Sequence, residues 1–297
     1  MIKKINLYIR MIYKIVKNEV IGNFEYKAAY NDVAMTYQSW LEKMGQHTEK
    51  IINPKYLESK SQNEKIRILD FACGTGYISR KIIDLGIPCE ITAVDLSDKM
   101  LEACADLAEQ GVKIMNIDGL DFLNNTTQKF DVILCGWALP YFQHKELIEK
   151  FQRVLSNHGI VGVISNCKGT LDRIEKIFLN VMEEDIENVN KPMNISFNLP
   201  KGKATLIKWF ARSGFKTLEA GEGETIFSFE DPKKLLEWLS MTGALAGSTH
   251  IFNNYELAKN QILNKIKYEK YKDDQYYINH KFVYGLFQNG GNNNGSK

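Results

Sequence analysis

Residues 66–76 read I-R-I-L-D-F-A-C-G-T-G, and this stretch decides the fold. Its first six residues form a nearly continuous apolar run, which is typical of a parallel strand buried on both faces. Ala72, Gly74 and Gly76 then remove side-chain bulk from the turn, so that backbone amides can come close to a ligand. A helix is predicted over residues 77–85. The turn therefore lies at the carboxyl end of the strand, where open α/β sheets bind ligands.

An acidic residue follows the next predicted strand, residues 90–94. Asp95 stands about 20 positions after the glycine turn, the spacing at which a carboxylate binds ribose hydroxyls. A dinucleotide fingerprint would need a third glycine, but the chain has Ser79 at that position. Asp70, at the end of the first strand, would repel a pyrophosphate but could serve the ammonium group of an amino-acid-like ligand. These residues predict a ligand with a ribose and an ammonium group and no phosphate.

The turn D-F-A-C-G-T-G (residues 70–76), with V-D-L-S downstream (residues 94–97), resembles motif I and the next acidic motif of class I methyltransferases that use S-adenosylmethionine (SAM). Within that class the chain is similar to small-molecule (type 11) and malonyl-carrier-protein methyltransferases. The likeness covers residues 24–287 and departs at Ala72, where the family usually has glycine. It implies an α/β fold with a doubly wound, seven-stranded Rossmann-like sheet, an N-terminal helical lid and helical insertions.

The same resemblance implies which residues hold SAM. An acidic residue after the third strand usually receives the adenine amino group, and Asp118 stands at that place, although an Asp-Gly pair can also simply form a turn. The fourth strand, residues 130–135, resembles motif IV, whose end faces the transferred methyl group. The predicted cofactor residues are Asp70, Ala72, Cys73, Gly74, Gly76, Tyr77, Asp95, Leu96, Met100, Asp118, Gly119, Leu120, Cys135 and Trp137.

The loop after the fourth strand carries the predicted catalytic residues, His144 and Tyr141. Nucleic-acid and protein amino-methyltransferases often have an acidic or amide residue followed by P-P-Y here, whereas this chain has A-L-P-Y at residues 138–141. The missing polar residue counts against that subclass. His144 could act as a general base toward a hydroxyl acceptor, because the ordinary histidine pKa lies near neutral. The alternative is a surface histidine that opens the next helix. Tyr141 is a candidate wall of the cleft.

The candidate substrate pocket is formed by two parts of the chain. They are the aromatic residues before the first strand and an insertion after the fifth strand. Tyrosines at helical spacing in the predicted lid could stack on substrate, or the helix could simply be buried against the core. The insertion, residues 166–200, stands where the family's insertions usually build the substrate pocket. The predicted substrate residues are Tyr26, Tyr30, Tyr37, Trp40, Tyr141, Asn166 and Phe197.

Residues 1–18 form a basic amphipathic pattern that lacks the uninterrupted apolar core and the small-residue cleavage site of a signal peptide. Apolar residues at positions 2, 5, 9, 12 and 16 share one helical face, with basic residues interspersed. Such a helix could lie on an anionic membrane, or it could pack on its own domain or on a partner subunit. The pattern favours packing on protein and would suit a homodimer contact.

Composition and charge narrow the class of protein. The 297 residues carry a net charge of +2, which gives no general electrostatic case for nucleic-acid binding. The chain has no run of 18 apolar residues, so no stable membrane insertion is expected. The five cysteines are scattered, which favours reduced thiols and a cytoplasmic location. The histidines have no metal-ligand spacing, and no metal is predicted.

We expect a single methyltransferase domain over residues 1–297. Its predicted parts are a helical lid (1–62), a SAM-binding core (63–166), a substrate-side insertion with the C-terminal strands (167–288) and a disordered tail (289–297).

The predicted reaction is methyl transfer from SAM to an oxygen or nitrogen atom of a small-molecule metabolite. The alternative is a carboxyl O-methyltransferase that acts on an acyl group of a carrier protein. The helix predicted over residues 232–243 resembles a helix of those enzymes. A basic patch at residues 201–212 could bind an acidic acyl carrier protein. A third hypothesis is a SAM-binding regulatory protein without turnover.

Overall fold

The computed structural model describes residues 2–60, 65–193 and 198–290 of the chain. Within these ranges the chain groups into two compact units. The sheet unit contains residues 38–60, 65–168, 198–223 and 282–290, and the helical unit contains residues 2–37, 169–193 and 224–281. The single domain and its four parts stay a prediction. In the described part of the chain, no helix is long and apolar enough to cross a membrane.

Eight strands of the described chain form one sheet. They are β1 (Ile66–Phe71), β2 (Cys89–Asp95), β3 (Lys113–Asn116), β4 (Phe130–Gly136), β5 (Leu155–Asn166), β6 (Phe215–Phe229), β7 (Tyr271–Lys272) and β8 (Gln275–Asn289). Their order is β3-β2-β1-β4-β5-β8-β6, and β7 pairs with β8. The first five strands are parallel, whereas β8 runs antiparallel to β5, with Ile160 opposite Gln288. The predicted doubly wound sheet is confirmed, and the two-residue β7 adds an eighth strand. The resemblance also implies a last, antiparallel strand over residues 280–288 at the sheet edge. β8 is antiparallel to β5, but the edge position is wrong, because β6 pairs with the other side of β8.

Four helices precede β1 in the described chain, and the other helices lie between successive strands. The helices are α1 (Ile2–Val16), α2 (Asn23–Val33), α3 (Gln38–Thr48), α4 (Pro54–Lys60), α5 (Tyr77–Asp84), α6 (Asp98–Glu102), α7 (Gly119–Asn125), α8 (His144–Val154), α9 (Ile174–Glu184), α10 (Lys203–Arg212), α11 (Pro232–Met241) and α12 (Tyr255–Glu269). With Ser97 as a candidate N-cap and Gly111 as a stop, the sequence predicts one helix over residues 98–110. This is wrong, because α6 ends at Glu102 and a separate 3-10 helix forms at Ala105–Ala108. This break lets Cys104 and Leu107 bury themselves against the glycine turn.

The end of the chain also differs from its prediction. Asn289, expected to begin a disordered tail, is the last residue of β8. Residues 291–297 of that tail lie outside the described residues.

The core of the sheet unit holds the carboxyl ends of its strands in place. β1 and β4 are buried along most of their length, as their apolar runs predict. The core-facing side of α8 contributes Leu147, Ile148 and Phe151, which are all fully buried. Phe210 of α10 stacks on Phe287 of β8, with 3.9 Å between the ring centroids. The parallel strands β1, β2 and β4 therefore end together at one edge, where most of the predicted cofactor residues stand.

The helical unit has a core of its own. α9 packs against α12, and their facing residues Ile177, Val181, Ile262 and Ile266 are fully buried. Glu25 of α2 accepts a hydrogen bond from the Gly22 amide at 2.9 Å and forms an ion pair with Lys191. Part of the predicted lid and part of the predicted insertion therefore belong to the same unit.

Candidate functional site

The glycine turn follows β1 in left-handed backbone conformations. Ala72, Gly74 and Gly76 have φ values of 53°, 54° and 77°. A Cβ atom built on Gly76 would lie 2.5 Å from Leu107 Cδ1 and 2.9 Å from Cys104 Cβ, so only glycine fits there. A Cβ atom built on Gly74 would meet no atom within 4 Å, so there is open space beside the backbone at this position. Ala72 adopts this conformation with a side chain, which costs roughly 1–2 kcal/mol.

Asp70 is fully buried near the end of β1, and its two carboxyl oxygens differ in their partners. Its Oδ2 accepts hydrogen bonds from the Ser79 amide at 3.1 Å and the Ser79 hydroxyl at 2.6 Å. Its Oδ1 has no hydrogen-bond partner among the described residues. Burial raises the pKa of Asp70 to about 7, with a smaller contribution from the charge of Asp95 and against the effect of the Ser79 bonds. A buried oxygen of this kind is costly unless a donor binds it, so the site suits a cationic group.

Asp95 joins the end of β2 to the glycine turn. Its Oδ2 accepts a hydrogen bond from the Gly74 amide at 2.8 Å, and its Oδ1 accepts one from the Ser97 amide at 2.8 Å. Burial raises the pKa of Asp95, and these amide bonds oppose that rise. The Leu96 amide also opposes that rise. A carboxylate has about four lone-pair sites, so these backbone amides still leave room for a further donor such as a hydroxyl group.

Asp118 caps the helix that follows β3. Its Oδ1 accepts hydrogen bonds from the Leu120 amide at 2.9 Å and the Asp121 amide at 3.1 Å. A Cβ atom on Gly119 would lie 2.5 Å from the Phe71 ring, so the turn passes close to β1. The turn-forming role of the Asp-Gly pair is therefore observed. The adenine contact of residues 118–120 stays a prediction.

Trp137 follows β4 and anchors α3 to it. Its backbone is left-handed with φ of 66°, as at Ala72 after β1. Its indole nitrogen donates to Thr48 Oγ1 at 2.8 Å, and its ring meets the Trp40 ring edge-on at 4.8 Å between centroids. The structure thus brings together Trp40, predicted to bind substrate, and Trp137, predicted to bind cofactor. Thr48 was not predicted, because nothing in the sequence pairs residues 89 positions apart.

Tyr77 also contacts the end of α3. Its hydroxyl donates to Glu49 Oε1 at 2.7 Å, and Lys81 forms an ion pair with the same carboxylate at 2.8 Å. The bond from Lys81, followed by the bond from Tyr77, lowers the pKa of Glu49. Burial and the neighbouring Glu49 raise the pKa of Tyr77, so its hydroxyl stays protonated at neutral pH. Glu49 therefore holds the start of α5, directly after the glycine turn, and sequence reasoning missed it.

His144 stacks on an aromatic ring of α10. Its imidazole lies 3.8 Å from the Trp209 ring, with an angle of 13° between their planes. Burial, together with the charge of Arg212, lowers the pKa of His144, which favours the neutral imidazole that a base needs. It is also the first residue of α8, as the alternative reading has it. Tyr141 is partly buried against the core of the sheet unit. Their catalytic roles stay a prediction.

The remaining cofactor candidates of the sheet unit are mostly buried. Met100 is buried behind Ser97, whose hydroxyl caps α6 as predicted by accepting from the Met100 amide at 3.1 Å. Leu96 is half-buried. The Cys104 thiol and burial raise the pKa of Cys73, and burial raises the pKa of Cys135 to about 12, so both thiols stay protonated.

The substrate candidates fall in both units. Tyr26, Tyr30 and Tyr37 belong to the helical unit, where Tyr30 meets Tyr37 edge-on at 6.3 Å between centroids. Asn166 ends β5 in the sheet unit, and its buried Oδ1 has no partner among the described residues. Phe197 lies outside the described residues. In the described ranges no group of three or more His, Cys, Asp and Glu side chains is placed to hold a metal ion.

Comparison with known proteins relates this site to one family. The sequence profile of a methyltransferase domain matches residues 68–159, which run from β1 into β5. YqeM of Bacillus subtilis, itself only provisionally assigned as a methyltransferase, is 35% identical over 113 residues, which are 36% of this chain and 44% of YqeM. A malonyl-[acyl-carrier protein] O-methyltransferase of Bacillus cytotoxicus is 24% identical over 180 residues, covering 57% of this chain and 59% of that protein.

A third relative, EEF1A lysine methyltransferase 2 of Danio rerio, is 25% identical over 161 residues, covering 50% of this chain and 66% of that protein. The chain thus spans about half the length of the first two relatives, and the names of the last two point to different acceptors. What they share is the methyltransferase domain, in agreement with the parallel sheet, the glycine turn and the acidic residue after β2. The comparisons therefore support a methyltransferase domain of the class I, SAM-dependent type over residues 68–159 of this chain.

Proposed function

We propose that the protein transfers a methyl group from SAM to an oxygen or nitrogen atom of a small-molecule metabolite. The observation that carries this proposal is the pairing of an unpartnered, buried Asp70 oxygen with open space beside the Gly74 backbone in the same turn. A cationic, amino-acid-like ligand satisfies both features. A dinucleotide does not, because the carboxylate would repel its pyrophosphate.

Each of three acidic positions would bind a different group of the ligand. Asp70 would accept from its ammonium group, directly or through water, and so remove the cost of the unpartnered oxygen. Asp95 would receive the ribose hydroxyls on its remaining lone pairs while it keeps the glycine turn in place. Residues 118–120 would lie at the adenine. SAM, when bound, supplies an electrophilic methyl group together with its leaving group.

The protein therefore mainly has to bind, align and exclude water. Alignment of donor and acceptor can contribute several kcal/mol toward the barrier. Trp137 and Trp40 place two indole rings at the carboxyl end of β4, and aromatic faces attract cations such as a sulfonium. A base is needed only for an acceptor that must lose a proton, such as a hydroxyl, and His144 is the candidate for that step.

The loop after β4 favours a small-molecule acceptor over an amino group on nucleic acid or protein. Ala138 and Leu139 are buried, and neither side chain can hydrogen-bond an amino group. Asn198 instead donates to the Pro140 carbonyl at 3.0 Å, which ties this loop to the segment before α10. The acceptor would therefore be gripped by residues outside this loop, and Asn166 is one candidate.

A second candidate function is carboxyl methylation of an acyl group held by a carrier protein. Two observations favour it: the malonyl-[acyl-carrier protein] relative and an exposed basic surface around α10. That surface consists of Lys201, Lys203, Lys208 and Arg212, which would complement an acidic carrier. Charge reversal at Lys208 and Arg212 should abolish methylation of a carrier but spare that of a free small molecule.

The deciding experiment uses SAM with a labelled methyl group, the purified protein and a fractionated bacterial extract. Label in the small-molecule fraction supports the proposal, and mass spectrometry of the product then identifies the acceptor. Label on a carrier protein that mild base releases supports the second candidate. If SAM binds in calorimetry but none of the fractions becomes labelled, the result counts against turnover on an acceptor present in the extract and favours the SAM-binding regulator.

A further inference from the structure

Helix α1 presents its most apolar face to solvent. Ile9, Ile12 and Val16 are 62%, 60% and 77% exposed, and Ile2 and Ile5 on the same face are also exposed. Of the apolar residues of α1, only Leu7 is fully buried, and the helix contacts α9 of the helical unit. Of the two kinds of protein contact expected for this face, packing on its own domain does not occur among the described residues, whereas a contact with a partner subunit stays untested. The exposure of this face points to a partner outside the chain.

The residues of α1 are arranged around the helix in order of polarity. At 3.6 residues per turn, Ile5, Ile9, Ile12 and Val16 fall within an arc of about 60°. Tyr8 and Tyr13 flank this apolar stripe, one on each side at about 70° from its centre. These two tyrosines are themselves exposed, Tyr8 to 46% and Tyr13 to 58%.

Two lysines stand beyond the tyrosines. Lys4 and Lys17 are exposed and lie on opposite sides of the helix, about 110° from the centre of the stripe. The Lys4 ammonium lies 6.0 Å from the Tyr8 ring centroid, and the Lys17 ammonium lies 5.8 Å from the Tyr13 ring centroid. An apolar centre, an aromatic border and cationic edges are the order in which a helix meets the acyl chains, the interface and the headgroups of a bilayer.

The charge of α1 favours an anionic surface over a second copy of the chain. Residues 1–18 contain five lysines and arginines and no acidic residue, so two such helices packed face to face would repel each other. The carboxylates near the helix are paired away from the stripe: Glu187 with Arg10 at 3.3 Å and Glu19 with Lys14 at 3.3 Å. Arg10 and Lys14 project from the far side of the helix.

We propose that α1 is a membrane-surface helix that binds anionic phospholipid in the plane of the interface. The stripe would enter the acyl boundary, and Lys4 and Lys17 would bind lipid phosphates on either side. Binding of this kind needs no membrane-spanning segment. It is independent of the proposed methyl transfer, because none of these residues belongs to the sheet unit.

The test is flotation of the full chain with vesicles of phosphatidylcholine alone and with vesicles that also contain phosphatidylglycerol. We expect binding only to the anionic vesicles, weakened by high salt. Lys4→Gln with Lys17→Gln should weaken it about 30-fold. Ile9→Glu with Ile12→Glu should weaken it by more than about a hundredfold. The matched control is Ile226→Glu with Leu257→Glu, which places the same charges at exposed apolar residues elsewhere in the helical unit and should bind normally.

Circular dichroism would show that each variant is folded. Three results would overturn the proposal. The first is no binding to anionic vesicles, and the second is equal binding of Ile9→Glu with Ile12→Glu and of its control. The third is a dimer, seen in sedimentation, that Ile9→Glu with Ile12→Glu separates into monomers, while vesicles bind neither the dimer nor the monomer. The last result would identify a second copy of the chain as the occupant.

Discussion

The amide of Gly74 donates a hydrogen bond to Oδ2 of Asp95 at 2.8 Å, so the carboxylate after β2 holds the glycine turn after β1. The two predicted cofactor motifs, 21 residues apart, are therefore one unit. Asp95 has a structural role in the turn as well as its proposed role toward ribose, and a substitution there affects both.

Asp95→Ala should lower both SAM affinity and stability. It removes the acceptor for the amides of Gly74 and Ser97, each of which is worth about 1 kcal/mol or more in the folded protein. We expect SAM affinity to fall by more than about tenfold in calorimetry, through the loss of the proposed ribose contacts. Asp106→Asn, which removes an exposed carboxylate paired with Arg80, is the control and should change little. Normal SAM affinity in Asp95→Ala would show that the ribose assignment is wrong.

SAM affinity should rise with pH because of Asp70. With a pKa of about 7, Asp70 is mostly neutral at pH 6 and mostly ionised at pH 8. A bound ammonium group favours the ionised form, so affinity should increase about tenfold over this range. Asp70→Asn should bind more weakly at pH 8 and show no such rise. An equal slope in both proteins, measured by calorimetry, would place the ammonium elsewhere.

The Asp70 carboxyl should have the opposite effect on stability, because its contribution to the free energy of unfolding decreases as the pH rises. Its folded-state pKa of about 7 lies above the ordinary aspartate value of 3.8 that applies to the unfolded chain, so the folded state binds more protons between these values. The contribution of Asp70 to the free energy of unfolding should therefore be full below about pH 4 and decrease as the pH rises toward 7. In urea titrations without SAM, Asp70→Asn should lose less stability than the wild type between these pH values. A steeper loss in the variant would contradict this sign.

Ala72→Gly should stabilise the protein. The residue has a φ of 53°, which disfavours any side chain, and relief of this strain should raise the free energy of unfolding by about 1 kcal/mol. Ala103→Gly is the matched control, because Ala103 has a φ of −71° at the end of α6 and should lose about 0.5–1 kcal/mol. Urea unfolding measures both. A destabilised Ala72→Gly would mean that the contacts of its methyl group outweigh the strain.

Thr48 and Trp137 should be energetically coupled. Thr48→Val leaves the buried indole N–H of Trp137 without its acceptor, which should cost about 1–3 kcal/mol. Trp137→Phe removes the donor together with packing. In a double-mutant cycle the two changes should be less than additive by about 1 kcal/mol. Strict additivity in urea unfolding would show that the hydrogen bond contributes nothing.

His280→Leu should stabilise the helical unit. Neither ring nitrogen of this buried histidine has a partner among the described residues, and its ring lies between Phe227 and Trp238. Burial lowers its pKa to about 4, so the unfolded chain binds the proton more tightly between pH 6.5 and 4. The free energy of unfolding of the wild type should therefore decrease as the pH is lowered from 6.5 to 4, and that of the variant should decrease less. Parallel unfolding curves for the two proteins would contradict this prediction.

The sequence predicted most of the sheet and the positions of the cofactor motifs, because both depend on local patterns. The apolar run before Asp70 and the small residues after it specify a buried strand and a tight turn within eleven positions. The parts that could not be predicted depend on contacts between distant residues. Thr48 meets Trp137 and Glu49 meets Tyr77 only in the folded chain, and the break after α6 follows from the burial of Cys104 against Gly76.

The exposed stripe of α1 is a second case in which a local pattern does not determine the contacts of its residues. Its amphipathic pattern was visible in the sequence, but the pattern alone could not say whether the apolar face is covered. The structure resolves this, since Leu7 on the opposite side is the buried residue.

The most direct test of the account is a crystal structure of the protein with S-adenosylhomocysteine. We predict that the ribose hydroxyls lie within hydrogen-bond distance of the Asp95 carboxylate and that the ammonium group reaches Asp70 Oδ1, directly or through one water. A nucleoside bound away from Asp95, or an Asp70 oxygen that stays without a partner in the complex, would contradict the proposed site.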